Sequence, residues 1–334
     1  MKYRKRLLCA ALAAMLLAGC SGWPADLGEG GGASPAPSSQ ASAPAASSAG
    51  DVVFTDALGY QVELHSWQRV VSLYGSFAET WVLAGGALAG TTSDAVEERG
   101  LQLGEEVAVV GSIKEPNLEE ILAADPDFVI LSADTAAQVD LHAALAEAGV
   151  PHAYYRVDAF DEYLAMLRQF CDMTGREDLY EENGLRVQQQ VEAVLAAVEG
   201  RAHPTALLIR AFSTGAKAKG DDNLTGVMLR DLGAENLVSR HESLLEDVSM
   251  EEVIAADPDF IFVITMGSSE EKAMEYMRQN FEENPAWAGL TAVKNGRYVM
   301  LPKELFHYKP NARWGESYET LAKILYPDLA AQIG

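Results

Sequence analysis

Cysteine is scarce in this chain: three residues in 334. Cys9 and Cys20 lie in or just after an N-terminal apolar stretch, so only Cys171 remains for the body and no internal disulfide can form there. Positive charge is also in short supply. Lys and Arg number 25 against 49 Asp and Glu, a formal charge of -24. That balance argues against a nucleic-acid partner, because nothing offsets the phosphates. Catalytic signatures are missing too. The chain has no G-x-S-x-G elbow, no phosphate-cradling G-x-x-x-x-G-K-[ST], and no G-x-G-x-x-G behind a strand. Carboxylates abound, but spacing singles out no acid–base pair. An extracytoplasmic two-lobed enzyme is therefore the minor reading, and a non-catalytic binding protein the main one. Histidine is sparse, at His65, His142, His152, His203, His241 and His307, without metal-ligand spacing.

The N-terminus reads as a leader. Lys2, Arg4, Lys5 and Arg6 precede an apolar run, Leu7 to Leu17, that is too short to span a bilayer. Leu17-Ala18-Gly19-Cys20 resembles the lipobox of bacterial lipoproteins, in which cleavage leaves a lipidated cysteine. The resemblance implies residues 1–19 as signal peptide, Cys20 as the lipidation site, and a membrane anchor on an outer face. Loss of the leader takes the charge to -28, since its four cations go with it. Residues 20–50 are mostly Ser, Ala, Pro and Gly, a composition that cannot bury enough surface to order itself, and they read as a flexible tether.

From residue 51 onward the pattern is α/β. Val52–Phe54 and Tyr60–Leu64 flank Asp56-Ala57-Leu58-Gly59 as a hairpin. RVVSL (Arg69–Leu73) predicts a strand, followed by a helix from Phe77 to Ala84 that Ser76 could cap. Further strands are predicted at Val107–Val110, Phe128–Leu131 and His152–Val157, with helices at Asn117–Ala124 and Gln138–Ala148. Ala159–Thr174 carries Phe160, Tyr163, Leu164, Leu167, Phe170 and Cys171 on one stripe, with Asp158 as N-cap and Gly175 closing it. A second helix follows through Val187, Val191, Val194, Leu195 and Val198. Strands resume at Ala206–Ile209, Phe260–Ile264 and Tyr298–Leu301. Helices fall near Leu224–Leu232, Ser249–Ala256, Glu271–Phe281 and Arg313–Leu325.

The chain also repeats itself. Pro116 begins PNLEEILAADPDFVIL and Val248 begins VSMEEVIAADPDFIFV, with half of the aligned positions identical. Each copy is a cap (Asn117, Ser249), an acidic first turn, an apolar stripe, Asp-Pro to end the helix, and a buried strand. One copy lies on each side of the long central helix, which predicts two similar lobes: 51–158 and 201–334, joined by 159–200.

RVVSLYGSFAETWVLAGG (with Glu79), the repeated EE…DPDF segments, LRDLGAENL (Leu229–Leu237), PAWAGLTAVKNGRYV (Pro285–Val299) and the helix after His307 follow in register. Together they resemble the class III substrate-binding proteins of ABC importers, which serve siderophores, haem and cobalamin. The resemblance implies two Rossmann-like lobes with central parallel sheets, one rigid connecting helix, and small closure. It also implies a permease and its ATPase as partners, a monomer, and no resident cofactor. It places Glu119 and Glu251 on the lobe tips, where they would dock on the permease. Sequence alone says only that first-turn glutamates suit any helix.

Ligands of open α/β sheets sit beyond the carboxyl ends of the strands. That rule nominates Tyr74, Phe77, Ile113 and Lys114 in the first lobe. In the second it nominates Arg210, Phe212, Lys217, Lys219, Met266, His307, Tyr308, Lys309 and Arg313. Cations and aromatics at strand ends suit an anionic ferric siderophore, whose iron would be Fe3+, although each side chain could instead face solvent or a local acid. Arg313 at a helix start suggests a nearby anion or an acidic partner. A lone His307 would suit haem as an axial ligand; cobalamin is the remaining alternative.

Overall fold

The structure is a computed structural model describing residues 50–246, 248–267 and 269–333. The leader, Cys20 and all but the last residue of the expected tether lie outside the described residues. Among those described, no helix is long and apolar enough to cross a membrane.

A hairpin of β1 (Val52–Thr55) and β2 (Gln61–Leu64) comes first, antiparallel as expected. Its turn is held by the Asp56 carboxylate, which accepts the N–H groups of Leu58 and Tyr60 at 2.9 Å. The first sheet contains β3 (Val70–Ser72), β4 (Leu88–Thr91), β5 (Ala108–Val109), β6 (Phe128–Ser132) and β7 (His152–Tyr155), all parallel in the order β5-β4-β3-β6-β7. The second contains β8 (Thr205–Phe212), β9 (Gly215–Ala218), β10 (Glu235–Asn236), β11 (Phe260–Thr265) and β12 (Tyr298–Met300). Its parallel order is β10-β8-β11-β12, and β9 folds back antiparallel on β8.

Strand period two sorts side chains onto two faces of each sheet. Val70, Phe128, Ile130 and Tyr155 face inward in the first sheet, and Ala206, Leu208, Phe260 and Phe262 in the second. Both inner faces join one apolar core with the two middle helices. The outer faces, Val71, Val129 and Leu131 in one lobe and Leu207, Ile209 and Val263 in the other, form separate clusters. The α/β class thus holds, with one parallel sheet and one that is parallel except for β9.

The repeated segments build the same corner twice. Asn117 and Ser249 cap their helices, Leu118–Ala123 and Met250–Ala256, through side-chain oxygens. Asp125 and Asp257, each before a proline, take left-handed backbone at φ 50° and 39°. Phe128 and Phe260 then open the central strands, paired with Val70 and Ala206. Asp127 accepts from Ser66, Gln68 and Arg69, and Asp259 accepts from the Thr205 N–H and hydroxyl at 2.9 Å. In both lobes the carboxylate therefore clamps the segment entering the neighbouring central strand.

The bridging helix is Phe160–Thr174, about 22 Å long at 1.5 Å per residue. Tyr163, Leu167, Phe170 and Cys171 are buried along its stripe, and Gly175 ends it at φ 71°. Phe170 sits edge-on to Trp81 at 5.2 Å and to Tyr155 at 5.3 Å, which ties the rod to the first lobe. Phe160 meets Trp314 of the second lobe at 5.6 Å. Cys171 is buried, and burial pushes its thiol up to about 11. The connection continues through Glu177–Tyr180 and a wide turn, Glu181–Leu185, into Arg186–Val198.

Several local expectations are corrected. Asp158 does not cap the bridging helix. Ala159 occupies that place, and Glu162 accepts the N–H groups of Asp158 and Ala159 at 2.6 and 3.0 Å. Ser76 does not cap the first helix, which runs Gly75–Leu83 and already includes it. The segment Gln138–Ala148 is two short helices, Ala136–Val139 and His142–Glu147. Strands β4, β9 and β10 were not foreseen, because their Ala, Gly and polar residues give no apolar run. In β4, a side chain at Gly90 would crowd Val110 and the Ala108 carbonyl at 3.2 and 3.3 Å, so small residues are needed there.

Candidate functional site

The carboxyl ends of the strands bring together residues from both lobes. Tyr74 follows β3 and precedes the Gly75–Leu83 helix. The Gly75 N–H donates to Asp94 at 2.7 Å, and a Cβ at Gly75 would run into the Ala95 backbone 2.7 Å away. Glycine thus lets the segment after β4 lie directly under Tyr74. Burial, then the charges of Asp94 and Asp158, push the Tyr74 phenol up to about 12. The same segment delivers Arg99, whose side chain is 7% exposed and ion-paired with Glu79. Burial draws Arg99 down to about 10, and its charge is felt by Tyr74 and Tyr308.

The second lobe supplies the opposite wall. Arg210 is half-buried on the inward face of β8, just past the apolar core residue Leu208. It lies directly across from Lys217 of β9, a like-charged pair that sheets disfavour. Burial lowers the Arg210 pKa, opposed by Tyr74, Asp222 and Asp158. His307 ends the short helix Lys303–Phe306. Burial, then the cations Arg210, Lys303 and Lys309, drive its imidazole down to about 4, so it is neutral near pH 7. Tyr308, half-buried, faces Glu98 of the first lobe and is raised to about 12, mainly by burial.

Three nitrogens in this cluster, Arg99 Nε, Arg210 Nε and His307 Nδ1, are buried with no hydrogen-bond partner among the described residues. Buried polar groups are normally paired, so three orphans in one cluster are a feature to explain.

Direct contacts join the two lobes beside this cluster. Lys309 Nζ donates to Asp158 at 2.8 Å, with the lysine side chain 13% exposed. Asn311, at φ 53°, donates to the Ser76 carbonyl at 2.9 Å and to Glu79 at 2.6 Å. The loop from His307 to Asn311 therefore latches onto the first helix of the other lobe.

Tyr74, Arg210, His307, Tyr308 and Lys309 thus converge. Phe77 is 2% exposed and packs on Tyr74 and Tyr155, so it belongs to the core. Lys114 and Lys217 are exposed, while the Ile113 carbonyl accepts from Gln138 at 3.1 Å. The Phe212 ring lies over Gly215, where a Cβ would meet it at 2.6 Å. Lys219 and Met266 engage β8 through their backbone N–H groups, bonded to Leu208 and Ala211. Arg313 is neutralised on its own helix by Glu316, at 2.7 and 2.9 Å, which is the acidic partner that its position suggested. Glu119 and Glu251 are exposed in equivalent first turns.

The histidines are less scattered than the sequence suggests. His142 and His152 approach to 2.8 Å, and Tyr60 stacks on His142 at 4.0 Å. His65 forms an exposed group with Asp51 and Glu63 on the hairpin. Neither group includes a residue of the cleft cluster. Arg99, Glu98, Asp94 and Asp158 were not foreseen as cleft residues. Finding β4 would have revealed the first three, because they follow its carboxyl end.

Residues 70–305 match the family model described as periplasmic binding protein, which covers more than half of the chain. The chain belongs to the periplasmic binding protein family. This is a family of binding proteins, in keeping with the lack of catalytic motifs. The binding protein is 22% identical over 228 residues to the high-affinity heme uptake system protein IsdE of Staphylococcus aureus strain MRSA252, covering 67% of this chain and 76% of that one. Its fold resembles S. aureus IsdE complexed with heme, with TM-score 0.63, 17% identity, and 78% and 99% of the two chains covered. It equally resembles S. aureus SirA complexed with staphyloferrin B, with TM-score 0.63, 19% identity, and 83% and 98% covered.

Proposed function

We propose that this binding protein is the substrate-binding component of an ABC importer, capturing an anionic ferric siderophore between lobes 51–158 and 201–334. The observation that carries the reading is the cationic second wall, Arg210, Lys303 and Lys309 around neutral His307, with the buried Arg210 Nε unpartnered. A compact ferric complex with surplus negative charge would neutralise that wall and accept its free donors. Tyr74 and Tyr308 offer flat faces for its organic arms. Relatives named for siderophore binding with ferric iron and for heme uptake both support an iron complex as cargo. In this reading Cys20 carries the lipid, residues 20–50 tether a monomer to the outer face of the membrane, and Glu119 and Glu251 meet the permease that its ATPase drives.

Haem is the second reading, and one atom favours it. His307 Nδ1 is buried, unprotonated at neutral pH if Nε2 carries the hydrogen, and without a partner. The same cations would then meet the propionates. Titration of residues 51–334 with ferric siderophores, followed by intrinsic fluorescence, should show saturable quenching. No response to any siderophore, with a Soret shift on adding haemin that is lost in His307→Ala, would replace the first reading by the second.

A further inference from the structure

His142 and His152 meet at the end of the first sheet that lies away from the cleft. His152 opens β7, and His142 starts the helix His142–Glu147. The cleft lies beyond the other, carboxyl ends of these parallel strands. The two facing nitrogens, His142 Nδ1 and His152 Nε2, are 2.8 Å apart.

Both rings are braced from behind. His152 Nδ1 lies 2.9 Å from the Val150 carbonyl, which fixes a hydrogen on that nitrogen and leaves Nε2 with its lone pair. A carbonyl on the far nitrogen is the usual orienting partner of a metal-bound histidine. The Tyr60 ring of the hairpin stacks on His142, with centroids 4.0 Å apart and planes 14° from parallel. Burial lowers the His152 pKa, His142 adds to the effect and the Val150 carbonyl opposes it, so this imidazole is neutral near pH 7. A surface pocket of about 280 Å³, walled by both histidines, Tyr60, Gln61 and Glu63, opens beside the pair and gives an ion and its waters a way in.

Two histidines can share a hydrogen at this distance with no ion between them. This pair is in addition fixed at the back and open at the front, in a chain of formal charge -24 that attracts cations. The spacing also favours one kind of ion. With metal–nitrogen bonds of about 2.05 Å, nitrogens in adjacent positions of a square-planar ion stand about 2.9 Å apart, and those on a tetrahedral ion about 3.35 Å. The observed 2.8 Å fits the first. Square-planar coordination by nitrogen and oxygen is the preference of Cu2+, which also binds such ligands more tightly than Ni2+ or Zn2+.

We infer that His142 and His152 chelate one Cu2+ ion in adjacent positions of a square-planar site, with water from the pocket in the others. No third His, Cys or carboxylate joins the pair within ligand range among the described residues, so the ion exchanges freely. On binding, the hydrogen of His142 Nδ1 moves to His142 Nε2. Both ligating nitrogens then offer lone pairs, and the pair loses no proton. The site is separate from the cleft and does not depend on the importer reading.

The test adds CuCl2 to the full chain, free of cargo, and follows electron paramagnetic resonance. One tetragonal Cu2+ with two coordinated imidazoles is expected. His142→Asn and His152→Asn should each leave one imidazole and weaken binding roughly tenfold or more. His65→Gln, in the exposed group with Asp51 and Glu63, should change neither signal nor affinity. The imidazole count is read on the unsubstituted chain, so it stands even where a variant misfolds. Fewer than two imidazoles on that chain, two that survive His142→Asn, or a signal lost in His65→Gln would overturn the inference.

Discussion

The two lobes share a scaffold and differ in their walls. In both, a capped helix, a left-handed Asp before proline and a second Asp clamped to the neighbouring strand lead into a central buried strand. At the carboxyl ends the likeness stops. The first lobe offers Tyr74, Asp94, Glu98, Asp158 and an Arg99 already paired with Glu79, whereas the second offers Arg210, Lys303, His307, Tyr308 and a Lys309 paired with Asp158. Duplication thus preserved the residues that make the fold, and the site differs because none of its members lies inside the repeated segment. Each wall carries a phenol, but the carboxylates are on the first and the unpaired cation Arg210 is on the second, so an anionic cargo should lean on the second lobe.

The largest break in that asymmetry should come from Arg210→Ala, which removes a half-buried cation that the second lobe holds free. Affinity for an anionic ferric complex should fall roughly a hundredfold. Tyr74→Phe on the opposite wall should change it only a few-fold; equal losses in a fluorescence titration would show that the walls share the work. The shared scaffold can be tested with Asp127→Ala and Asp259→Ala in urea unfolding. Asp127 serves three donors from three residues, and Asp259 serves the N–H and hydroxyl of Thr205, so losses of about 2 and about 1 kcal/mol are expected in that order.

A smaller effect concerns pH. The His307 imidazole sits near 4 in the fold against 6.5 for the free group, so the unfolded chain takes up this proton first. Its contribution to ligand-free stability is whole above about pH 6.5 and is lost progressively as pH falls toward 4. His307→Gln should flatten that part of the stability–pH curve, and an unchanged slope would place the imidazole in water. The smallest effect is at Cys171, whose buried thiol should resist a thiol reagent in native 51–334 and react once unfolded.

Much of this was legible in the sequence. The hairpin, the central strands, the bridging helix and the duplicated corner all announce themselves through apolar period, capping residues and Asp-Pro stops. All five converging cleft residues follow from the strand-end rule, because β3 before Tyr74, β8 with Arg210 and the loop after β12 with His307, Tyr308 and Lys309 are clear. The first wall was read less well. Leu88–Thr91 is a strand made of small residues, held by its neighbours more than by its own propensity, and missing it hid Asp94, Glu98 and Arg99. Phe77 was misplaced for a related reason: the helix begins two residues earlier than its apolar stripe suggests, which turns that ring into the core. Contacts between distant segments, such as Lys309 with Asp158 and Asn311 with Ser76, leave no local trace at all.

The central claim is that charge on the second wall selects the cargo. Its most direct test is a fluorescence titration of residues 51–334 with a series of ferric siderophores graded in net charge. Affinity should rise with negative charge, and the trend should collapse in Arg210→Ala. Equal or tighter binding of neutral ferric complexes would contradict it.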